Sequence, residues 1–348
     1  MHKEKIDNIR KSVTMKENGK VVPNMKIGIL GPGKIAQGVV YALKQMPEIE
    51  CYAVASRTPG KAEAFAQEHG FQKVYNSYEA MVRDPQVELI YVATPHSHHF
   101  EHMMLCLTHG KPVICEKAFT MNAKQAQAIK DYAEEHGIFA AEAIWPRYMP
   151  SREIIRNALN SGRIGKIYAM TANLHYKIDD VPRIQLPELA GGALLDVGIY
   201  GLSFALTHFD GEIERIESSV QLTDTGVDGM ETITLYFADG KMAVLTHGIY
   251  TRSDRKGIFY GEKGYIVVEN INNPQSVSIY DDKDQLLEFH EVPEQINGYE
   301  YEFREAVRCI QEGKHEAPSI PLAESVRVME VMDTLRRQWG VVYPQEQE

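Results

Sequence analysis

Three residues in this chain combine types and spacing that could move protons. Lys117 follows Glu116 at the end of an apolar run, Val113-Ile-Cys-Glu-Lys-Ala-Phe-Thr120. Asp196 and Tyr200 stand four residues apart behind a double glycine, in Gly191-Gly-Ala-Leu-Leu-Asp-Val-Gly-Ile-Tyr200. A charged pair at the end of a hydrophobic strand is more often a solvated surface feature than a site. Residues four apart on a helix share a face, so an acid and a phenol beside the apolar positions Leu195, Ile199, Leu202 and Leu206 read equally as site chemistry or as an ordinary amphipathic boundary. The surrounding elements decide between these readings.

Upstream, Lys26-Ile-Gly-Ile-Leu30 reads as a strand and Gly31-Pro-Gly-Lys-Ile-Ala36 opens a helix with apolar Ile35, Val39, Leu43 and Met46. This is G-x-G-x-x-A between a strand and a helix, the context in which the motif binds a dinucleotide. Gly31 permits the turn, Gly33 lets a pyrophosphate approach the backbone, and Lys34 and Ile35 begin the helix whose free N–H groups face the phosphates. Glu50-Cys-Tyr-Ala-Val-Ala55 is the next strand. Where an NAD-preferring enzyme carries an acid for the ribose hydroxyl, this chain has Ser56-Arg57-Thr58, which favours NADP and leaves NAD open. A helix over 60–69 closes at Gly70. The strand Glu88–Ala93 runs into Thr94-Pro-His-Ser-His-His99. The histidines lack the Cys or carboxylate partners of a metal shell, so no metal is expected. Thr94, Pro95, His96 and His99 lie where a parallel strand meets its cofactor, with His96 or His99 toward the nicotinamide ribose. Asn122 with Gln125 resembles a capping box, and Ile138–Ala143 is a last strand. Residues 25–145 therefore read as an α/β Rossmann domain, a doubly wound parallel sheet.

At Trp145-Pro-Arg-Tyr-Met-Pro150 the character changes to a crossover, with Trp145 and Arg147 near the nucleotide site. Residues 146–348 read as an α+β domain. A capped helix spans Ser151–Ser161, and a strand Lys166–His175. The loop Lys177–Ala190, with Arg183, is placed to close over a site. The Asp196 helix precedes a mainly antiparallel open sheet over 213–280, and two helices lie near 299–312 and 322–337, which would pack back on the first domain. Residues 1–24 read as a polar extension. The net charge of −11 argues against nucleic-acid or anionic-membrane partners. No apolar run is read as a membrane span. Four scattered cysteines suggest reduced thiols and a cytoplasmic chain.

Taken together, G-x-G-x-x-A, Thr94-Pro to His99, Glu116-Lys117 and the glycine-led Asp196 helix resemble the glucose–fructose oxidoreductase/inositol dehydrogenase/MocA family. Within it, Ala141-Glu-Ala-Ile-Trp-Pro-Arg147, Gly191–Tyr200, Thr225-Gly-Val-Asp228 and Ile320-Pro-Leu-Ala-Glu-Ser325 are similar to the dimeric dihydrodiol dehydrogenase and NADP-linked D-xylose dehydrogenase branch. The resemblance implies a homodimer paired through the C-terminal sheet. It also implies a sugar, polyol or dihydrodiol substrate, a cofactor contact at Glu116, and catalytic roles for Lys117, Asp196 and Tyr200. The family's E-K-P is Glu116-Lys117-Ala118 here, which leaves the Lys117–Ala118 peptide either trans or strained. Lys117 beside Tyr200 would lower the phenol's pKa and stabilise an oxyanion, and Asp196 would orient Lys117 or a sugar hydroxyl. Two rivals remain at this point. A dinucleotide-binding regulator would bind NADPH without consuming it. An NAD-dependent glycosidase would release sugar without net nicotinamide change.

Overall fold

The structure is a computed structural model that describes residues 24–346; apart from Asn24, the expected N-terminal extension lies outside the described residues. The first half alternates β1 (Met25–Leu30), α1 (Lys34–Leu43), β2 (Ile49–Ala55), α2 (Lys61–His69), β3 (Lys73–Tyr75), α3 (Tyr78–Val82), β4 (Leu89–Val92), α4 (His99–Thr108), β5 (Val113–Glu116), α5 (Ala123–His136) and β6 (Ala140–Ala143). The six strands form one parallel sheet in the order β3-β2-β1-β4-β5-β6. Order reverses between β1 and β4, which opens a crevice at the carboxyl edge where such sheets take ligands. Leu30 pairs with Val92 and Val92 with Cys115, so the ends of β1, β4 and β5 lie side by side. β4, β5 and β6 are buried along their whole length, as helices on both faces require. β3 and α3 escape a sequence reading because they are short. Ser77 caps α3 by accepting from the Ala80 amide at 3.1 Å.

Asn122 caps α5, accepting from Gln125 N–H at 3.0 Å, while the Gln125 side chain bonds Met121 N–H rather than that of Asn122. α2 and α5 end on left-handed Gly70 and Gly137. The Lys117–Ala118 peptide is cis.

The second half contains α6 (Ser151–Asn160), β7 (Ile167–His175), the single turn α7 (Pro182–Gln185), a π-helical turn (Leu194–Gly198) that runs into α8 (Ile199–His208), and β8 (Ile213–Leu222) through β9 (Asp228–Phe237), β10 (Met242–Gly248), β11 (Gly257–Gly261), β12 (Gly264–Val268), β13 (Ser276–Asp281) and β14 (Leu286–Glu291). α9 (Glu300–Gln311) and α10 (Leu322–Trp339) follow. The sheet order is β14-β13-β12-β11-β7-β10-β9-β8, antiparallel except for β7 with β10. Its strands alternate: Glu231, Ile233, Leu235 and Phe237 of β9 are buried while Met230 and Thr232 are exposed. α10 packs back on the first sheet's α5, where Asp333 accepts from Ala123 N–H at 2.9 Å and Arg336 donates to the Met121 carbonyl at 3.1 Å.

Three expectations change. β14 is an additional strand, hidden in sequence by its charged turn and by exposed Leu286, Leu287 and Phe289. Ser151 does not cap α6: Pro150 already has helical dihedrals, and the Ser151 hydroxyl is buried without a partner. One stretch, Pro187–His208, is long and apolar enough to cross a membrane; 89% of its apolar window is buried inside the fold, so that surface is used against the sheet.

Candidate active site

Lys117 leaves β5 at the carboxyl edge of the parallel sheet and meets the Asp196 turn of the second half. Its Nζ donates to the main-chain oxygen of Asp196 at 2.6 Å and lies 3.4 Å from Oδ1. The same ammonium stands 4.9 Å from the centre of the Tyr200 ring. The Tyr200 hydroxyl accepts from Trp145 Nε1 at 3.1 Å, and the Trp145 ring packs 5.0 Å from that of Tyr299. Asp196 lies in the π turn and Tyr200 in the first turn of α8, so the four-residue spacing does not follow α geometry, yet both reach Lys117.

Asp196 is buried, which alone would raise its pKa. Lys117 and then Arg183, whose Nη1 donates to Oδ1 at 2.9 Å, outweigh burial and hold the carboxyl well below the usual range. Tyr200 goes the other way: burial and the nearby Glu116 push the phenol well above its ordinary value. The expectation that Lys117 lowers it is corrected. The ammonium lies over the ring face and makes no hydrogen bond to the phenol oxygen, so burial decides.

The double glycine positions this turn. A Cβ on Gly191 would collide with the Ile184 backbone, and one on Gly192, at φ +110, would fall on the Asp228 carboxylate. The chain passes between α7 and β9 because neither residue has a side chain.

Several expected cofactor contacts are committed elsewhere. His99 has its ring nitrogens 2.8 Å from the carbonyls of Ala118 and Thr94. It fastens the turn after β4 to the turn carrying Lys117 rather than facing a ribose. His96 bonds the Ala190 carbonyl through Nδ1 at 3.0 Å, and burial lowers its pKa to about 3. The Thr94 hydroxyl pairs with His102 at 2.9 Å, and Pro95 leads the short turn His96–His98. Glu116 accepts from the Tyr91 hydroxyl, and burial raises its pKa. Arg147 is corrected outright: it donates to Ser319 O, Thr207 Oγ1 and the Glu324 carboxylate, joining α8 to the start of α10.

The dinucleotide bed is intact. Gly31 takes φ +88 with Thr94 behind it, and a Cβ on Gly33 would meet nothing within 4 Å, so open space lies over the start of α1. No side chain caps α1 and its first turn holds no acid, which leaves Lys34 and Ile35 N–H groups available to phosphates. Arg57 is exposed at the end of β2, 5.5 Å from the Tyr78 ring, and Ser56 Oγ accepts from Thr58 N–H at 3.1 Å. These residues fit a nicotinamide dinucleotide. Arg183, Tyr299 and buried Glu302 complete the surroundings; Arg183 is legible in sequence only through the loop expected to close over the site, and the other two are not. Tyr299 and Glu302 lie about a hundred residues beyond Tyr200 in the chain, with no local signal that links them to it.

A Rossmann sheet joined to a site built on a second, mainly antiparallel domain defines a nicotinamide-linked oxidoreductase. Residues 25–142 match the family model "Oxidoreductase family, NAD-binding Rossmann fold" and residues 153–267 the model "GFO/IDH/MocA C-terminal domain". The chain belongs to the Gfo/Idh/MocA family, and it is a dehydrogenase of CH–OH groups. It is 34% identical over 328 residues to trans-1,2-dihydrobenzene-1,2-diol dehydrogenase of Xenopus tropicalis, covering 92% of this chain and 99% of the relative. The Homo sapiens protein of that name is 32% identical over 330 residues, with the same coverage. Among solved structures, a 3-ketoreductase from Actinomadura kijaniata in complex with NADP and TDP-benzene superposes with a TM-score of 0.81 at 25% identity, covering 90% of this chain and 97% of that one.

Proposed function

We propose that the chain is an NADP-dependent dehydrogenase of a trans-dihydrodiol, aldose or cyclic polyol, with Lys117 and Tyr200 as its proton relay. The observation that carries this is the Lys117 ammonium held between Asp196 and the Tyr200 ring beside the dinucleotide bed. When bound, the nicotinamide exchanges the hydride. The chain's residues handle the proton. In the carbonyl-reducing direction an alkoxide develops, and Tyr200, kept protonated by burial, donates to it. Lys117 supplies positive charge to the same oxygen. In the oxidising direction Tyr200 first releases its own proton to solvent, which burial opposes, and its phenolate then takes the proton of the substrate hydroxyl. NADP is favoured over NAD by exposed Arg57 without a competing acid at the end of β2, and by the NADP complex of the ketoreductase relative.

The discriminating experiment follows NADP⁺ reduction against a panel of dihydrodiols, aldoses and inositols, repeated with Lys117→Met and Tyr200→Phe. Wild-type rates in both variants would remove the assignment. A homodimer through the open sheet face belongs to the same reading. Tyr260, Tyr265, Tyr280 and Leu286 are register partners across β11–β14 and stand in one row, with Tyr260 and Leu286 exposed. Tyr260→Glu should then yield monomers in sedimentation, and an unchanged mass would count against that face. Four unpaired cysteines, three of them buried, support a cytoplasmic setting.

A further inference from the structure

Two of the sequence motifs that the chemistry above leaves unused meet the site from behind. Glu142, in Ala141-Glu-Ala143, is the register partner of Cys115 on β5. Its Oε1 accepts from Phe119 N–H at 3.0 Å and its Oε2 from the Ser325 hydroxyl at 2.6 Å, with 2% of the residue exposed. Asp228, in Thr225-Gly-Val-Asp228, is fully buried, and its Oδ2 accepts from Leu194 N–H. The two arrangements match. Phe119 lies two residues after Lys117, and Leu194 two residues before Asp196. Each segment carrying half of the Lys117–Asp196 contact is thus held by one main-chain amide on one buried carboxyl.

The nature of that contact makes this consequential. Lys117 makes its shorter bond to the main-chain oxygen of Asp196, so the placement of backbone on both sides, as well as the side-chain rotamers, sets the ammonium's position. The Asp228 side is further confined. Gly192 leaves no room between the chain and Asp228, and a Cβ on Gly198 would meet Glu231 Oε1 at 2.6 Å.

We propose that Glu142 and Asp228 are positioning residues that fix the two backbone segments between which Lys117 is held. The inference rests on Lys117 being the site lysine, as read above. Burial pushes Glu142 up to about 7 and Asp228 up to about 8, and either protonation state keeps an oxygen lone pair for the amide. An amide side chain therefore substitutes for each, and a methyl does not.

The test compares Glu142→Gln and Asp228→Asn with Glu142→Ala and Asp228→Ala in the full chain. Two readouts are used: kcat against KM, and the ¹³C resonance of reductively methylated Lys117, assigned by its absence in Lys117→Arg. The Gln and Asn variants should keep kcat within about threefold and leave the resonance in place. Each Ala variant should lose about 100-fold in kcat, with KM and NADPH affinity little changed, and should move the resonance toward that of solvent-exposed lysines. Folded Ala variants with a wild-type resonance overturn the proposal. If the Ala variants do not fold, Glu142→Asp and Asp228→Ser withdraw the acceptor while keeping a polar group. They carry the same expectation, and an unmoved resonance in both is equally fatal. The resonance needs no turnover, so a failure of the dehydrogenase reading stays distinct from a failure of the two carboxyls to position Lys117.

Discussion

If Lys117 and Tyr200 serve one proton, their losses cannot add. Lys117→Met removes the Nζ that bonds the Asp196 carbonyl and keeps an apolar stem over the Tyr200 ring. Tyr200→Phe removes the hydroxyl and keeps the ring beneath the ammonium. General acid–base help is worth about 10²–10⁴-fold, or about 3–5 kcal/mol of barrier. Each single variant should lose about 10³-fold, and the double variant little more than the worse single. That is a coupling of about 4 kcal/mol. Independent roles would instead multiply to about 10⁶-fold. Stability must be measured alongside. Tyr200→Phe strips Trp145 Nε1 of its acceptor, at about 1–3 kcal/mol. Lys117→Met leaves buried Asp196 with Arg183 alone, and breaking a buried pair costs about 3–5 kcal/mol. Single-turnover NADPH consumption, taken at a temperature where all four proteins stay folded, gives the cycle. Multiplicative losses would refute the shared proton.

Arg57→Ala should weaken NADPH binding by about 10–100-fold, the worth of a charge-assisted contact of about 1.5–3 kcal/mol, and leave NADH unchanged in a fluorescence titration; equal losses for both nucleotides would refute a 2′-phosphate role. Asp228 and Glu231 are both pushed up to about 8 by burial. Between about pH 4 and 8 the folded chain keeps protons that the unfolded chain has released, so stability from these groups is present at low pH and falls as pH rises, by at most about 1.4 kcal/mol per unit for each. Asp228→Asn should therefore gain on wild type in urea midpoint from pH 5 to pH 8, and a constant offset would contradict the raised pKa. Gly192→Ala places a Cβ on the Asp228 carboxylate at φ +110. It should cost about 3 kcal/mol or more in urea unfolding, and a near-neutral result would mean the turn relaxes freely.

The elements of the first half other than the short β3 and α3 are legible because each carries a local signal. The G-x-G-x-x-A turn, the apolar strands and the left-handed Gly70 and Gly137 all act within a few residues of themselves. The placement of Lys117 followed from the strand it ends. Side-chain destinations were not legible, because they depend on partners far along the chain. Arg147 sits near the expected region yet spends its guanidinium on Thr207, Ser319 and Glu324. His99 stands in the expected turn but bonds carbonyls on both sides of it. A helix-period reading placed Asp196 and Tyr200 on one face; the chain reaches that result through a π turn that periodicity does not encode. β14 failed for a different reason: an edge strand facing solvent has no clean alternation to read.

On the proposed reading, the charges around Lys117 would suit an oxyanion even in so acidic a chain. Lys117 and Arg183 bring two formal positive charges to a single strongly acidic partner, Asp196. The other carboxyls nearby are Glu116 and Glu302. Burial raises Glu116, and it raises Glu302, which has no hydrogen-bond partner, well above the carboxylate range. Burial acts on both in the same direction as on Tyr200, raising the pKa. Lys117, Arg183 and Asp196 together thus carry one net formal positive charge within a chain of net −11, and on the proposed reading that charge and the phenolic proton serve the forming alkoxide. Fixed charge in a dry site is worth far more than the same charge in water, so it matters where the surplus sits. A second ionised carboxylate beside Tyr200 would reduce the surplus, and burial of Glu116 in the sheet and of Glu302 in α9 opposes ionisation of both.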